Sequence, residues 1–453
     1  ARPLAEDDVA RAMAPSRNAG APLCALAGRK RARNDWLDHL KPTDQMRAVE
    51  TLGNLPEDAR FEIERSLEGD VVELDLAFQD LRGPGSEAAA WLLKYAPDLE
   101  DLDMSRNCIE GDRVENISRE LCRAPKLRKL SLVGNQLGTA GAQRFAEGLD
   151  SSTSLEVLDL TDNNMGEEGS AAIARGLLRT PTLKTLNLRG NRIGAKGIKN
   201  VVIELKNSTS LETLYLMNND LGDAGAETAA CELRTAPNLK VVYFGYNQIG
   251  DVGAEGIAKQ LVHAPSLESL HVRWNNIGDA GALAIARELY RAPCLETLGL
   301  GCNDISDEGA EPLAKQLLRL PNLKVVYLGY NKMTDRGICD VVRVLRGAHR
   351  LRKLDLGNQV VPAASEGIAR LLAERPPACL EIPKIVLTNH LDALQLPAEW
   401  RMASNSEILG HLRKSRTTAL YTFLASVRRE HRSGLYKCKE LLQHIETFVS
   451  CLR

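Results

Sequence analysis

Apolar and polar residues follow one another along this chain in an order that keeps returning. A stretch with leucine at every second place, such as Leu130 and Leu132, gives way to one with apolar residues three and four apart, such as Ala142, Phe145, Ala146 and Leu149. A period of two marks a strand and a period of three to four marks a helix, so each unit predicts a short strand followed by a helix. An asparagine closes the strand at Asn107, Asn135, Asn163, Asn191, Asn219, Asn247, Asn275, Asn303 and Asn331, each 28 residues after the last with no insertion or deletion. A fixed period of this length means a solenoid. One further step each way reaches Gln79, after Val72 to Phe78, and Gln359, after Leu351 to Asn358, which makes eleven repeats with atypical ends.

The punctuation agrees with that reading. A glycine stands six places after most of the asparagines (Gly141, Gly169, Gly197, Gly225, Gly253, Gly281, Gly309, Gly337), where the chain must turn tightly or approach its neighbour. Prolines such as Pro125, Pro181, Pro237, Pro265, Pro293 and Pro321 end the helix and start the return to the sheet. The asparagine amide both donates and accepts, which suits it to backbone groups left buried at the strand end. Stacked strands advance by about 4.8 Å, whereas helices need roughly 8 to 10 Å between axes. The mismatch bends the stack, strands inside and helices outside.

The frame LxxLxLxxNxIGDxGAxxIAxxL, seen in Leu127 to Leu137, Leu183 to Ile193, Leu211 to Leu221 and Leu295 to Ile305, resembles the ribonuclease-inhibitor-like class of leucine-rich repeats over residues of about 70 to 380. That class also contains the repeat domain of the Ran GTPase-activating protein and the ligand-sensing repeats of NOD-like receptors. The resemblance implies an α/β fold, a right-handed leucine-rich-repeat solenoid or horseshoe with a parallel concave sheet and convex helices, and a concave face that binds partners.

Four segments follow. Residues 1–34 read as a solvated basic tail ending in Arg29-Lys30-Arg31-Ala32-Arg33; a nuclear or organelle-targeting signal is the other reading of that run. Residues 35–69 carry helix signals without the repeat and are expected to cap its first unit; 70–382 hold the solenoid. Residues 383–453 begin with strand-like Ile385-Val386-Leu387 and continue into two apolar helical stripes, from Ile408 to Val427 and from Leu435 to Val449, either a second helical cap or an interaction arm. Leu396 to Trp400 resembles the linker before the GTPase domain of Roco proteins, but no GxxxxGK[ST] loop follows, so no nucleotide site is expected.

Composition narrows the function. The formal net charge is -2, which gives no bulk attraction to nucleic acid or to a membrane surface. No apolar run approaches the roughly 18 residues that span a bilayer. Ten cysteines without regular spacing and without a CxxC pair fit reduced thiols, hence a cytoplasmic setting with nuclear or organellar ones left open. No metal spacing, nucleophile elbow or phosphate loop appears, so neither catalysis nor a cofactor is expected.

Aromatic residues make up only 4% of the chain, yet they gather. Four places before the asparagine, on the strand side facing away from the helices, stand Asp75, Asp103, Ser131, Asp159, Asn187, Tyr215, Tyr243, His271, Gly299, Tyr327 and Asp355. The place just before the asparagine adds Tyr246, Trp274 and Tyr330, and two places before it stand Arg189 and Arg273. Tyr, Trp and Arg are enriched at binding hot spots because they bury large area and keep a polar handle. Tyr215, Tyr243, Tyr246, His271, Arg273, Trp274, Tyr327 and Tyr330 are therefore the expected partner-binding residues, with His271 exposed as a contact residue. The alternative is that these rings stack along the sheet and stabilise it. The leading expectation is a non-enzymatic protein-interaction module or scaffold subunit, with a protein partner or a large multisubunit assembly. Two others stay open: a GTPase-activating protein similar to that for Ran, with Arg106 as the arginine by position, and the sensing part of a NOD-like receptor or pathogen effector.

Overall fold

The computed structural model describes residues 41–67 and 71–356, apart from positions 97, 112, 150, 151, 179, 346, 347 and 349. The tail 1–34, the end repeat beyond 356 with Gln359, and the segment 383–453 lie outside the described residues.

Two helices come first, α1 (Pro42–Gly53) and α2 (Glu57–Leu67), and strand and helix then alternate. The chain falls into two units that meet in sequence at Asn219 and Asp220. In the first unit the order is β1 (Glu73–Asp75), α3 (Arg82–Tyr95), β2 (Asp101–Asp103), α4 (Val114–Glu120), β3 (Lys129–Ser131), α5 (Gly138–Leu149), β4 (Val157–Asp159), α6 (Gly166–Leu177), β5 (Thr185–Asn187), α7 (Gly194–Leu205) and β6 (Thr213–Tyr215). The second holds α8 (Gly222–Leu233), β7 (Val241–Tyr243), α9 (Asp251–Leu261), β8 (Ser269–His271), α10 (Asp279–Glu288), β9 (Thr297–Gly299), α11 (Asp307–Leu317), β10 (Val325–Tyr327), α12 (Asp335–Leu345) and β11 (Lys353–Asp355).

Within each unit every strand pairs in parallel with the next, residue to residue at the 28-residue offset: Leu74 faces Leu102, Leu102 faces Leu130, and Val242 faces Leu270. The core is built the same way in each repeat. Leu130, Leu132, Leu137, Ala142, Phe145 and Leu149 are all buried, which places the strand leucines against one helix face. Each unit is thus a β–α solenoid with one layer of helices on one side of its parallel strands. Ahead of it, α1 and α2 bury Ala48, Leu52, Ile63 and Leu67, and Glu87 on α3 takes an ion pair from Arg47 at 3.0 Å and a hydrogen bond from the Thr51 hydroxyl at 2.8 Å.

The asparagine works as its chemistry predicts, across two repeats at once. Asn163 donates its amide to the carbonyls of Leu132 at 2.8 Å and Leu160 at 3.0 Å, and its Oδ1 accepts from the backbone N–H of Asn135 at 3.0 Å and of Leu137 at 3.5 Å. The glycine six places on is needed for close approach and not for a turn. A Cβ on Gly141 would come 2.5 Å from the Gly111 Cα. The left-handed turn falls three places after the asparagine, on Gly138, Gly166, Gly194 and Gly222, at φ between +58° and +70°. From Gly250 onward the equivalent backbone is extended, and the helix start is held by an aspartate of the preceding repeat: Asp223 accepts from the Gly250 N–H at 2.6 Å and Asp251 from the Gly278 N–H at 2.7 Å.

Candidate partner-binding face

The strands set the rows of this face. Because side chains alternate along a strand, the residue four places before each asparagine points away from the helices, and parallel register puts these residues next to one another from strand to strand. Tyr243 therefore faces His271, His271 faces Gly299, Gly299 faces Tyr327 and Tyr327 faces Asp355. The rings of Tyr243 and His271 stack at 4.4 Å between centroids and 8° between planes. Beyond them Gly299 leaves a gap, and Tyr327 leans over it to 6.1 Å from the His271 ring, tilted by 46°.

Arg273 fills what remains of that gap. Its side chain lies across two glycines, for a Cβ on Gly299 or on Gly301 would stand 3.3 Å from the Arg273 Cγ or Nε. Its guanidinium ends 5.2 Å from the Tyr327 ring centroid, on the face of the ring, and bonds to the Cys302 thiol. Lys353 sits over the same Tyr327 ring at 4.8 Å. Burial pushes the Cys302 thiol up to about 11, against the pull of Arg273, so it stays protonated and unreactive at neutral pH.

The residue just before the asparagine is special in its backbone. It is left-handed in every repeat from Phe78 to Tyr330, and in the first unit small or turn-tolerant residues often occupy it: Gly134, Asp162, Gly190 and Asn218. In the second unit the same conformation is forced on Tyr246 (φ 56°), Trp274 (φ 57°), Cys302 (φ 56°) and Tyr330 (φ 60°). Tyr246 and Trp274 stack at 4.9 Å and 9°. Tyr330 is half-buried, and burial pushes its hydroxyl above the usual tyrosine range.

The expectation of an exposed His271 is corrected. His271 is only 7% exposed and Arg273 only 8%, because Tyr243 covers one ring face while Tyr327 and Arg273 close over the glycine gap. Burial first, and the Arg273 charge second, lower the His271 pKa to about 3, so the imidazole is neutral. Seven of the eight expected residues, Tyr243, Tyr246, His271, Arg273, Trp274, Tyr327 and Tyr330, lie in the second unit. Tyr215 ends β6 in the first and is 2% exposed. The sequence placed Gly299 and Asp355 in their column without a role and gave no sign of Gly301 and Cys302; the signal for the glycines was their place in columns that otherwise hold side chains.

The first unit carries a different face. Glu73 and Asp75 stand opposite Asp101 and Asp103 in register, and burial pushes the carboxyls of Asp103 and Asp159 up against hydrogen bonds from Ser105 and Thr161. Among the described residues no helix is long and apolar enough to cross a membrane.

Comparison with known proteins agrees with the repeat. A family model described as "Leucine Rich repeat" matches seven times, at residues 123–146, 151–174, 180–202, 207–228, 235–258, 263–286 and 291–314. No curated protein matches the chain. Among solved structures, an internalin from Listeria monocytogenes is similar at 18% identity and TM-score 0.41, covering 73% of this chain and 94% of its own. The C-terminal domain of tropomodulin from Caenorhabditis elegans is similar at 17% identity and TM-score 0.29, covering 33% of this chain and 92% of its own. With one strand, one helix and one buried asparagine per 28 residues, and seven of these units matched in sequence, residues 123–314 are a run of leucine-rich repeats.

Proposed function

We propose that the chain is a non-enzymatic scaffold subunit of the ribonuclease-inhibitor-like repeat class, cytoplasmic, with α1 and α2 as its N-terminal cap, that holds a protein partner on the strand face of its second unit. The observation that carries this is the left-handed backbone of Tyr246, Trp274 and Tyr330. That conformation costs a non-glycine residue about 1 to 3 kcal/mol, and folding does not ask for an aromatic there, since Gly134, Gly190 and Asn218 serve the same turn. A recurring cost of this kind in three of four successive repeats points to selection for what the rings present. The buried His271 and Arg273, with the half-buried Tyr243 and Tyr327, form the layer beside them, which holds the face rigid. A preorganised aromatic surface loses little entropy on binding.

The test is affinity capture on the intact chain beside a variant with Tyr246→Gly, Trp274→Gly and Tyr330→Asn. Partners that stay with the first and leave the second, at unchanged melting temperature, support the reading. Capture of the same proteins by both sinks it.

A second reading, activation of a small GTPase, draws on Arg106. This residue is exposed in the loop after β2, left-handed at φ 55°, and its guanidinium lies 5.3 Å from the Phe78 ring. An arginine supplied in trans can neutralise charge in phosphoryl transfer. Stimulated GTP hydrolysis by Ran that disappears in Arg106→Ala would decide for it.

A further inference from the structure

The helix side of the second unit carries an exposed strip that the strand face does not explain. The last core leucine on the helix side of three successive repeats, Leu261, Leu289 and Leu317, is buried, and the next residue has to leave the core. Lys206 and Arg234 follow the core leucine in two other repeats, as solvent contact would favour. Here the following residues are Val262, Tyr290 and Leu318, the last two both 38% exposed. Leu178 is a comparable case in the first unit, but its neighbour in the next repeat is Lys206.

Each of the three is followed by a basic or titratable side chain, His263, Arg291 and Arg319. Cations at helix C-termini are favourable in themselves; apolar residues in the preceding place are not. Arg291 and Arg319 also come together across two repeats. Their guanidiniums lie 5.2 and 5.4 Å from the one Tyr290 ring, and Arg291 Nε donates to the Tyr290 hydroxyl at 2.7 Å. Arg319 bonds to the Gln316 amide oxygen at 3.2 Å. Neither meets a carboxylate among the described residues, whereas Lys259 and Lys315, one turn back on their helices, are neutralised by Glu255 and Glu311.

We infer that Val262, Tyr290 and Leu318 with Arg291 and Arg319 form a second docking surface, for an acidic amphipathic segment of a protein partner. The apolar row buries that segment's hydrophobic side chains, and the two guanidiniums, in no ion pair among the described residues, take its carboxylates in charge-assisted bonds. Positive charge unbalanced on an apolar strip selects for an occupant of the opposite sign. This surface is separate from the strand face and stands or falls apart from it.

The test uses two labelled peptides with the same leucine spacing, one bearing glutamates and its twin lysines, titrated into the full chain by fluorescence anisotropy. The acidic peptide should bind about tenfold more tightly or better. Arg291→Ala with Arg319→Ala, and separately Leu318→Ser, should weaken it by a similar factor, with melting temperatures unchanged, while Trp274→Ala leaves it as it was. No binding, equal binding of both twins, or binding indifferent to the arginines overturns the inference. Phosphatidylserine vesicles that bind through the same arginines while the peptides do not would assign the strip to a lipid surface instead, and overturn it too.

Discussion

Asp251 and Gly281, thirty residues apart, occupy one place: the Asp251 carboxylate accepts from the Gly281 N–H at 2.9 Å, and a Cβ on that glycine would come within 2.5 Å of the same oxygen. The glycine is there because the aspartate of the preceding repeat needs the space. The relation recurs between Asp279 and Gly309 and between Asp307 and Gly337.

Gly281→Ala should therefore destabilise the chain by about 1 to 3 kcal/mol, as overpacked sites do. Asp251→Ala should cost about 1 kcal/mol through loss of a helix-start acceptor. In the double variant the alanine at 281 should be tolerated better, though not freely, since the Asp251 Cα would still lie 2.7 Å from the new Cβ. Denaturant unfolding of the two single variants and the pair checks this. Strict additivity would mean that the two residues do not compete for space.

Asn163→Ala should cost more than its size suggests. It removes three donated and two accepted bonds inside the core and leaves backbone groups of Leu132, Leu160, Thr161, Asn135 and Leu137 short of a partner. Each stranded buried group is worth about 1 to 3 kcal/mol. Lys199→Ala on the exposed side of α7 should leave the melting curve where it is, and equal shifts for the two would contradict the role assigned to the asparagine.

The beat of the fold was open to sequence reading because a solenoid repeats its core: Leu130, Leu132, Phe145 and Leu149 could be placed from spacing alone. The depth of the strand face was not. Whether His271 is exposed depends on the residue one repeat away, and there Gly299 and Gly301 let Arg273 lie down across the sheet and Tyr327 lean in. The left-handed backbone before each asparagine was hidden for another reason. In the first unit Gly134 and Gly190 betray it, but Tyr246, Trp274 and Tyr330 contradict local preference, and a rule broken in the sequence cannot be read from the sequence. The pairing of Asp251 with Gly281 needs the stacking distance, which no single repeat contains.

His271 gives the pH dependence a defined sign. Its folded pKa of about 3 lies far below the usual histidine value near 6.5, so between these limits the unfolded chain binds a proton that the folded chain refuses. Its contribution to stability is complete above pH 6.5 and is lost progressively as pH falls toward 3. The half-buried Asp103 and the buried Asp159, whose pKa values are raised, act in the opposite direction and are common to wild type and variant. Denaturation at pH 7.5 and pH 4.5 should show wild type losing more stability on acidification than His271→Gln. A variant that loses as much as wild type would place the imidazole in water.

Tyr330→Asn separates binding from folding most directly. Asparagine tolerates the left-handed conformation, as at Asn218 in the same place of an earlier repeat, so the substitution removes backbone strain while it removes a ring from the proposed face. Stability should hold or rise by about 1 kcal/mol, the scale of relieving one such residue. Affinity for the partner should fall by a comparable or larger amount, of order 1 to 2 kcal/mol, as hot-spot truncations do. Trp274→Ala should behave differently: it ends the stack with Tyr246 and keeps a side chain in left-handed backbone, so it should lose both binding and stability, the latter by about 1 kcal/mol. Thermal melts and binding isotherms of the two variants measure both quantities. If Tyr330→Asn destabilised the fold and left binding intact, the rings would be supports of the sheet, and the partner would have to be sought on another surface.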